Sequence, residues 1–556
     1  MTQWRTATLL IVTLTTLISC QKSEQPTAEI PSPQPTVKST PKPTQTPKKP
    51  EPIKTQITLH QTPLPQTTQI KVAFNQDQSS IYTDPYRNIT RHGTNLETLI
   101  VQEIQSAQTS IDIAIQALSL PTIAHALAQR QKAGIKVRVM LENNYAKPWI
   151  QITPQQAEKL TPEQQSIWAE FFTVVDVNKD NILSHSEINN QDVLTIFRNN
   201  RIVWKDDTSD RSKGSGLMHH KFIVIDKRKV VTGSPNFTLS SLHGDKGYPD
   251  GRGNAEHLIV IKSESLAKLY TEEFNLMWSG KFGVKKPKRP VKSIKISDIE
   301  VRVNFSPDSQ SDPYNNTSNG IISQTISTAK QSVDFALFVF SDQGIANQLN
   351  LQQKKKVKIR GIVDPNFAYV NYSKTLDMWG IATADKNCKS EQIPWQRVLT
   401  TVGVPQITKS DKMHHKFAVI DNNTVITGSH NWTEAGNYRN DENLLVIKSP
   451  IVAAHFEREM ERLLKGARFN PNKVLLIRAK QSIERCGTLT AQKAKNDELI
   501  NLNIASIDEL DKLPSIGKSL AIRIVDARPI KSWEDLGRIK GMTEKKMEKI
   551  KDKVTF

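Results

Sequence analysis

Cysteine is scarce in this sequence, and its apolar stretch near the N-terminus is short. The 556 residues contain only three cysteines, Cys20, Cys388 and Cys486. The apolar stretch runs from Ala7 to Ile18 and is rich in threonine. A transmembrane helix needs about 20 predominantly apolar residues, so this stretch is a poor candidate for a membrane span.

Acidic residues are outnumbered by basic ones, 56 to 75, which gives a formal net charge of +19 at pH 7. This balance favours anionic partners such as nucleic acid or an anionic lipid surface, but it does not choose between them. The length allows several domains, each large enough to bury its own core.

The first twenty residues have the pattern of an export signal. Arg5 supplies a charged start, and Leu17-Ile18-Ser19-Cys20 ends the apolar stretch. The tetrapeptide resembles the lipobox of bacterial lipoproteins, which implies lipid attachment at Cys20 and export to the periplasmic face of a bacterial membrane. Gln21 in place of Asp implies the outer membrane. An ordinary signal peptide with an incidental cysteine is the alternative.

Residues 21–67 are rich in Pro, Thr, Lys and Gln and contain few large apolar residues. Such a segment cannot bury enough apolar surface to offset its ordering entropy, so we expect a disordered tether. If Cys20 carries lipid, only Cys388 and Cys486 remain. An export compartment permits a disulfide between them, but two free thiols are equally compatible with their spacing.

From about residue 70 to residue 464 the sequence contains one pattern twice. Ala107–Ala114 matches Ala329–Ala336, and each segment follows an amphipathic helical run. Further apolar strands follow at Val137–Leu141 and Val357–Val363. Strands that alternate with helices indicate an α/β layered fold in each copy.

Two more blocks repeat in the same order. In the first block, Met218–Asp226 with Thr232–Asn236 in copy one matches Met413–Asp421 with Thr427–Asn431 in copy two. In the second block, Asn254–Leu258 matches Asn440–Leu444. The spacing from Asp112 to His219 exceeds that from Asp334 to His414, so copy one carries an insertion.

The repeated block fits phosphodiester chemistry. On a strand, residues two apart share a face, so His219 projects with Lys221, and His414 projects with Lys416. Two lysines aimed at one phosphate would stabilise the charge of the transition state without a metal. One neutral imidazole can attack phosphorus, while the other protonates the leaving oxygen and then deprotonates water.

These segments resemble the HKD signature of the phospholipase D superfamily. The resemblance implies two α/β/α halves related by a pseudo-twofold axis, with one active site between them and no catalytic cofactor. It assigns nucleophile and acid roles to His219 and His414, without saying which attacks. It implies phosphate binding by Lys221, Lys416, Asn236 and Asn431, orientation of the histidines by Glu256 and Glu442, and structural roles for Asp226 and Asp421.

A loop within copy one is similar to an EF-hand calcium loop. Its oxygen ligands would come from Asp176, Asn178, Asp180, Ser184, Glu187 and the carbonyl of Ile182. Asn181 stands where glycine is usual, although Asn tolerates the left-handed conformation. The pair Thr161-Pro162 predicts the start of the entering helix. We expect Ca²⁺ as a brace, a polar loop without metal being the alternative.

The segment from residue 499 to residue 556 predicts two helix pairs with tight hairpins. Ser506 and Ser532 are expected N-caps. The pattern resembles the tandem helix-hairpin-helix domain of competence-type DNA receptors, which implies DNA phosphate binding through Ser515, Gly517, Lys518, Gly541 and Lys545. Ser515 and Thr543 replace the family's usual glycines. A protein-docking module is the alternative.

The expected organisation is a signal at 1–20, a tether at 21–67, halves at 68–285 and 290–468, a connector at 469–498 and an all-α domain at 499–556. The insertion spans about 161–199. The sequence favours an anchored, exported DNA nuclease. Two alternatives are a phospholipase D acting on phospholipids and a non-catalytic DNA-uptake receptor, which the two intact half-sites disfavour.

Overall fold

The computed structural model describes residue 59, residues 61–209, residues 216–487 except 246 and 249, and residues 500–555 except 504, 506, 531 and 552. The expected signal segment with Cys20, most of the expected tether and the expected N-cap Ser506 lie outside the described residues.

The first half is built on a mixed sheet flanked by a small hairpin. The strands are Ile70–Phe74 (β1), Ile81–Thr83 (β2), Thr90–His92 (β3), Ser110–Ile115 (β4), Lys136–Leu141 (β5), Val203–Asp206 (β6), Lys221–Ile225 (β7), Lys229–Gly233 (β8) and His257–Lys262 (β9). Among the described residues seven of them form one sheet in the order β1-β9-β8-β7-β4-β5-β6, while β2 pairs with β3.

Helices cover this sheet and form the insertion. They are Leu96–Gln105 (α1), Pro121–Lys132 (α2), Pro154–Ala157 (α3), Pro162–Val175 (α4), His185–Gln191 (α5), Val193–Asn199 (α6), Leu239–Leu242 (α7) and Glu264–Trp278 (α8). Short 3-10 turns lie at Trp149–Gln151 and Gly283–Lys285.

The second half has a larger sheet. The strands are Lys292–Ile296 (β10), Ile299–Ser306 (β11), Ser332–Leu337 (β12), Lys358–Val363 (β13), Val402–Gly403 (β14), Lys416–Ile420 (β15), Thr424–Gly428 (β16) and Glu442–Lys448 (β17). Within the described part of the chain these eight strands are ordered β10-β11-β17-β16-β15-β12-β13-β14.

Among the described residues, fewer helices precede the HKD segment in the second half than in the first half. They are Ser318–Ser327 (α9), Gln343–Lys354 (α10), Pro365–Ala368 (α11), Lys374–Met378 (α12), Glu434–Tyr438 (α13), Pro450–Leu464 (α14) and Lys473–Cys486 (α15), with a 3-10 turn at Tyr314–Asn316. The last helix, α15, lies within the segment expected to be a connector.

Strand pairing confirms the α/β repeat. In the first half β4 pairs parallel with β5 and antiparallel with β7. In the second half β12 pairs parallel with β13 and antiparallel with β15. The strands β7 and β15 are buried along their whole length, as expected for strands with both faces covered.

One hydrophobic cluster joins the two halves. It contains Phe222 and Tyr270 from the first half and Phe417 and Phe456 from the second, all fully buried. Because this cluster is continuous, the segments before β7 and β15 are held at a shared boundary between the halves.

The aspartates of the HKD segments lie in turns. Asp226 accepts hydrogen bonds from the backbone N–H groups of Gln108, Thr109 and Ser110. Asp421 accepts the equivalent bonds from residues 330–332. Each carboxylate ties the turn after its HKD strand to the start of a neighbouring strand.

The insertion contains the predicted helix–loop–helix. Thr161 caps α4 in a capping box with Gln164, and Ser184 caps α5 in a capping box with Glu187. Asn181 has a φ of 63°, so this residue adopts the left-handed conformation that usually favours glycine.

The C-terminal segment forms two helix pairs. The helices are Ile507–Leu510 (α16), Lys518–Asp526 (α17), Trp533–Gly537 (α18) and Glu544–Ile550 (α19). Ser532 caps α18 as predicted. The segment is not purely helical, because its ends pair as two parallel strands, Ile500–Asn501 (β18) and Val554–Thr555 (β19).

The structure answers one question that the sequence left open and differs from one boundary that we predicted. Cys388 and Cys486 form a disulfide that fastens the end of α15 to the second half. The chain also contacts the folded core before residue 67, since the side chain of Gln66 bonds to the backbone of Val72. In the described residues we find no helix long and apolar enough to cross a membrane.

Candidate active site

The two HKD segments meet where the halves join. Lys221 opens β7 and Lys416 opens β15, so each histidine lies just before a buried strand. Short parallel bridges join Met218 to Asp441 and Ala255 to Met413. Each half therefore anchors the start of the other half's HKD strand.

Each histidine is oriented by a glutamate from the opposite half. The Nδ1 atom of His219 lies 2.8 Å from Glu442 Oε2, and the Nδ1 atom of His414 lies 2.8 Å from Glu256 Oε1. Both glutamates are fully buried. This arrangement fixes each ring through Nδ1 and leaves Nε2 for the substrate.

A serine hydroxyl supports each of these carboxylates. Ser241 donates to Glu256 Oε1 at 2.7 Å, and Ser429 donates to Glu442 Oε2 at 2.7 Å. Ser241 lies on α7, whereas Ser429 belongs to the turn after β16. Ser234, the counterpart of Ser429 in the turn after β8, also bonds to Glu256, so Ser241 is an additional donor that the first half supplies.

The two lysines are almost completely buried, each 1% exposed. Lys221 Nζ donates to the carbonyl of His219 at 2.9 Å and to Gln116 Oε1 at 3.0 Å. Lys416 Nζ donates to the carbonyl of His414 at 2.6 Å and lies 4.9 Å from the centre of the Phe338 ring.

Two turn glycines allow the close packing behind the site. A Cβ atom on Gly233 would lie 2.1 Å from the carbonyl oxygen of His257, and one on Gly428 would lie 2.2 Å from that of Asn443. The turns that carry Asn236 and Asn431 can therefore approach β9 and β17 only with glycine at these positions.

The asparagines retain hydrogen-bonding capacity. The Oδ1 atoms of Asn236 and Asn431 are buried and have no hydrogen-bond partner among the described residues. Buried polar groups are normally paired, so each Oδ1 atom can accept a further hydrogen bond, whereas a phosphate oxygen would accept from the Nδ2–H group of the same amide.

Electrostatics keeps both histidines neutral in the free protein. Burial, together with Lys221 and Lys416, holds the pKa of His219 well below its usual range. Burial lowers the pKa of His414 to about 3, although Glu256 opposes the shift. Both shifts favour the neutral form of the imidazole in the free protein.

The lysines and glutamates respond to the same burial. Burial lowers the pKa of Lys221 to about 8 and that of Lys416 to about 7, although nearby glutamates oppose both shifts. Burial alone would raise the pKa of Glu256, but His414 and Lys416 outweigh it and lower that pKa. Burial raises the pKa of Glu442.

The structure thus brings both histidines, both lysines and both glutamates to one place. It puts Asn236 and Asn431 in the turns after β8 and β16, and Asp226 and Asp421 in the turns after β7 and β15. The sequence did not reveal the exchange of glutamates between halves, Ser241 or Gln116. Gln116 and Ser241 lie outside the repeated blocks, and their counterparts in the second half, Phe338 and Gly436, are different residue types.

The calcium-like loop lies apart from these residues in sequence. Asp176 accepts from the amides of Lys179 and Asn181, while Glu187 accepts from the amides of Val177 and Asn178. Its donors are the oxygen ligands that Ca²⁺ prefers. Within the described ranges, however, no group of three or more His, Cys, Asp or Glu side chains is arranged to hold a metal ion.

The predicted DNA-contacting residues lie in the two hairpins of the C-terminal segment. Ser515 has a φ of 67° and Gly541 a φ of 94°, so both hairpins use the left-handed conformation. Gly517 is the N-cap residue of α17 and, being a glycine, supplies no side-chain cap. Lys518 is the first residue of that helix, and Lys545 is exposed in α19.

Comparison with known families identifies the fold. The family described as cardiolipin synthase, PLD-like domain, matches residues 100–278 and 322–464, together more than half of the chain. The chain therefore belongs to this PLD-like family. A helix-hairpin-helix motif matches residues 495–555.

Similar proteins cover part of the chain. The mitochondrial cardiolipin hydrolase of Homo sapiens is 26% identical over 174 residues, 31% of this chain and 61% of that protein. The phospholipase D of Rickettsia prowazekii is 29% identical over 175 residues, 32% of this chain and 58% of that protein. The chain thus spans less than two thirds of either relative.

A solved structure also resembles part of the chain. The phospholipase D family member Nuc from Salmonella typhimurium is 22% identical, covers 31% of this chain and 97% of its own, and has a TM-score of 0.24.

Proposed function

We propose that this protein is a phosphoric diester hydrolase with one active centre built from both HKD segments. The observation that carries the proposal is the reciprocal pairing of His219 with Glu442 and of His414 with Glu256. A relay of two histidines needs two oriented rings, one to attack and one to move protons.

In the first step, Nε2 of one neutral imidazole attacks phosphorus. A P–N bond forms as the P–O bond to the leaving alcohol breaks, and the other imidazole, protonated, donates its Nε2 proton to that oxygen. The anionic substrate offsets the charges of Lys221 and Lys416, which raises the histidine pKa values and lets one ring be protonated.

In the second step, the ring that gave up its proton removes one from water. The water oxygen attacks phosphorus, the P–N bond breaks, and the phosphomonoester and the first imidazole are released. Lys221, Lys416 and the two asparagine amides stabilise the negative charge that develops on the phosphoryl oxygens.

The substrate that we favour is DNA. The C-terminal hairpins offer backbone amides and exposed lysines such as Lys540 and Lys545, which suits phosphate contacts without sequence readout. The proposal includes export and lipid attachment at Cys20, which would hold a nuclease at the periplasmic face of the outer membrane of a bacterium, where it meets incoming DNA.

Phospholipid is the second candidate substrate. It is favoured by the names of the relatives, which are a cardiolipin hydrolase and a phospholipase D. A lipid anchor would suit this substrate equally well, but it would leave the helix-hairpin-helix segment without a role.

Calcium belongs to the proposal as a brace. The oxygen donors of the loop from Asp176 to Glu187 and the left-handed Asn181 fit the ion. When bound, it would fasten the end of α4 to the start of α5. We expect millimolar Ca²⁺ to raise the melting temperature of the wild type and not that of Glu187→Gln.

The test uses the full-length protein with plasmid DNA and, separately, vesicles of cardiolipin and phosphatidylcholine, each with Ca²⁺ or with a chelator. We expect DNA cleavage that survives chelation and is lost in His219→Ala and in His414→Ala. His185, exposed at the start of α5 in the insertion, provides a control in His185→Ala, which should cleave normally.

Three results would count against the proposal. Cleavage that persists in both histidine variants would contradict the two-histidine mechanism. Turnover of vesicles without turnover of DNA would mean that phospholipid, and not DNA, is the substrate. Strict dependence on added metal would mean that the two histidines are not sufficient.

A further inference from the structure

The α7 turn of the first half has contacts that its counterpart in the second half lacks. Thr238 caps α7 by accepting from Ser241 N, and Thr433 caps α13 by accepting from Gly436 N. These caps show that Ser241 and Gly436 are equivalent positions. The residue before each, Ser240 or Ala435, differs in the same way.

The hydroxyl of Ser241 reaches the catalytic centre. It donates to Glu256 Oε1 at 2.7 Å, and the same oxygen lies 2.8 Å from His414 Nδ1. Ser241 is 2% exposed and Glu256 is fully buried. A small movement of α7 would therefore move a donor of the carboxylate that orients His414.

The α7 turn is held by the insertion. Glu170, on α4, accepts from Ser240 Oγ at 2.7 Å and from Ser240 N at 3.2 Å. Its Oε1 atom also lies 3.4 Å from the hydroxyl of Ser119, at the start of α2. One carboxylate of the insertion thus ties α7 to the body of the first half.

In the described part of the second half, the equivalent interval is shorter and contains no counterpart of α4. Only α11 and α12 lie between β13 and β14 among the described residues, whereas α3 to α6 lie between β5 and β6. Its α13 turn offers Ala435 and Gly436, which carry no hydroxyl. The insertion and the two serines therefore occur together in one half and are both missing from the other.

We propose that Glu170 is a positioning residue for the His414 side of the centre, acting through Ser240, the α7 turn and Ser241 on Glu256. This inference rests on the proposed phosphodiesterase function. It gives the insertion a mechanical role in catalysis, since α4 holds the turn that supports one of the two oriented histidines. The residue itself touches no substrate.

The test measures hydrolysis of a small diester, bis(p-nitrophenyl) phosphate, by the full-length protein. Glu170→Ala removes both bonds to Ser240, and we expect kcat to fall by about 10-fold with KM changed by less than about 2-fold. Glu170→Gln keeps an oxygen that accepts from Ser240, so we expect it to retain most of the wild-type kcat.

Glu163→Ala is the matched control, because Glu163 is an exposed glutamate on the same helix. It should have wild-type kcat and KM. Ser241→Gly and Ser240→Ala introduce the residues found at the equivalent positions of the second half. Each should lower kcat, as Glu170→Ala does. If Glu170→Ala acts through Ser240, the double variant Glu170→Ala with Ser240→Ala should be no slower than Glu170→Ala alone.

The outcomes separate this inference from the proposed function. A wild type that hydrolyses the diester through both histidines, with Glu170→Ala as fast as Glu163→Ala, would overturn the inference alone. Equal loss in Glu170→Gln and Glu170→Ala would also overturn it, since the charge rather than the bond would matter. If Glu170→Ala does not fold, an unchanged kcat in Ser241→Gly decides against it.

Discussion

At the scale of single residues, the centre depends on carboxylates that cross between the halves. Glu442 reaches His219 and Glu256 reaches His414, each at 2.8 Å. A buried carboxylate in this position selects the Nδ1–H tautomer and stabilises the ring when it becomes positive. Neither histidine can be correctly presented by its own half alone.

The first prediction concerns this exchange. Glu442→Gln keeps the shape of the side chain but can present an N–H group to His219 Nδ1, which favours the wrong tautomer. We expect kcat to fall by roughly 10²- to 10⁴-fold, with little change in melting temperature, as measured by steady-state hydrolysis of a small diester and by thermal unfolding.

The exposed Glu264, which pairs with Arg228 at the surface, supplies the control variant Glu264→Gln. Near-normal kcat in Glu442→Gln would mean that Glu442 does not orient His219 during turnover.

A second prediction concerns pH and the two buried lysines. Burial lowers the pKa of Lys416 to about 7 and of Lys221 to about 8, so the free site loses positive charge as pH rises through this range. A protonated lysine binds phosphate and a neutral one does not, so affinity should be high below pH 7 and should weaken above pH 8.

Isothermal titration with dimethyl phosphate, which keeps one negative charge at both pH 6.5 and pH 9.5, measures this effect. We expect at least about a 10-fold rise in Kd at the higher pH, since each lost charge removes about 1 kcal/mol or more of attraction. Lys416→Arg keeps its charge at both values and should give a flatter profile. A Kd that does not change with pH would show that both lysines remain protonated.

At the scale of elements, the repeat was predictable because its signals are local. The continuous apolar runs of β7 and β15, the caps of α4 and α18 and the turn residues around Asp226 and Asp421 are all encoded within a few neighbouring positions. The predicted EF-like loop follows α4 directly, and Asn181 adopts the conformation that its position requires.

Contacts between distant elements were not predictable from the sequence. Nothing local tells which half's glutamate reaches which histidine, because that depends on how β9 and β17 pack across the boundary. Ser240 and Glu170 are likewise joined only when α4 folds against α7. The pairing of Cys388 with Cys486 depends on where α15 lies, and spacing alone left it undecided.

The third prediction concerns the C-terminal hairpins. Lys540 and Lys545 are exposed at the second hairpin and its helix. If they contact DNA phosphates, Lys540→Ala with Lys545→Ala should reduce the slope of log K against log salt by about 2 and weaken binding alike for all sequences. Fluorescence anisotropy with a duplex at several salt concentrations measures both quantities.

Lys132 and Lys136 are exposed in the first half. The double variant Lys132→Ala with Lys136→Ala is therefore a control that removes the same amount of charge. Hydrolysis of a small diester should be normal in both double variants. Equal salt slopes for the two pairs would remove the reason for assigning DNA binding to the hairpins.

At the scale of the whole molecule, the two halves form one functional body. A single hydrophobic cluster spans both, the bridges at Met218 and Ala255 interlock their edges, and each half completes the other's histidine. The halves nevertheless differ around the shared centre. The first supplies Gln116, Ser241 and the insertion, while the second supplies Phe338 and Gly436 in the equivalent positions.

The central claim is that both HKD segments serve one reaction through a covalent phosphohistidine. Its most direct test is mass spectrometry of the full-length protein after rapid quenching at alkaline pH during turnover. With bis(p-nitrophenyl) phosphate as substrate, we predict an adduct that carries the remaining p-nitrophenyl phosphate group on one of His219 and His414, always the same one, and none after that residue is replaced by alanine. Steady turnover with no adduct on either histidine, and persisting in both alanine variants, would contradict the account.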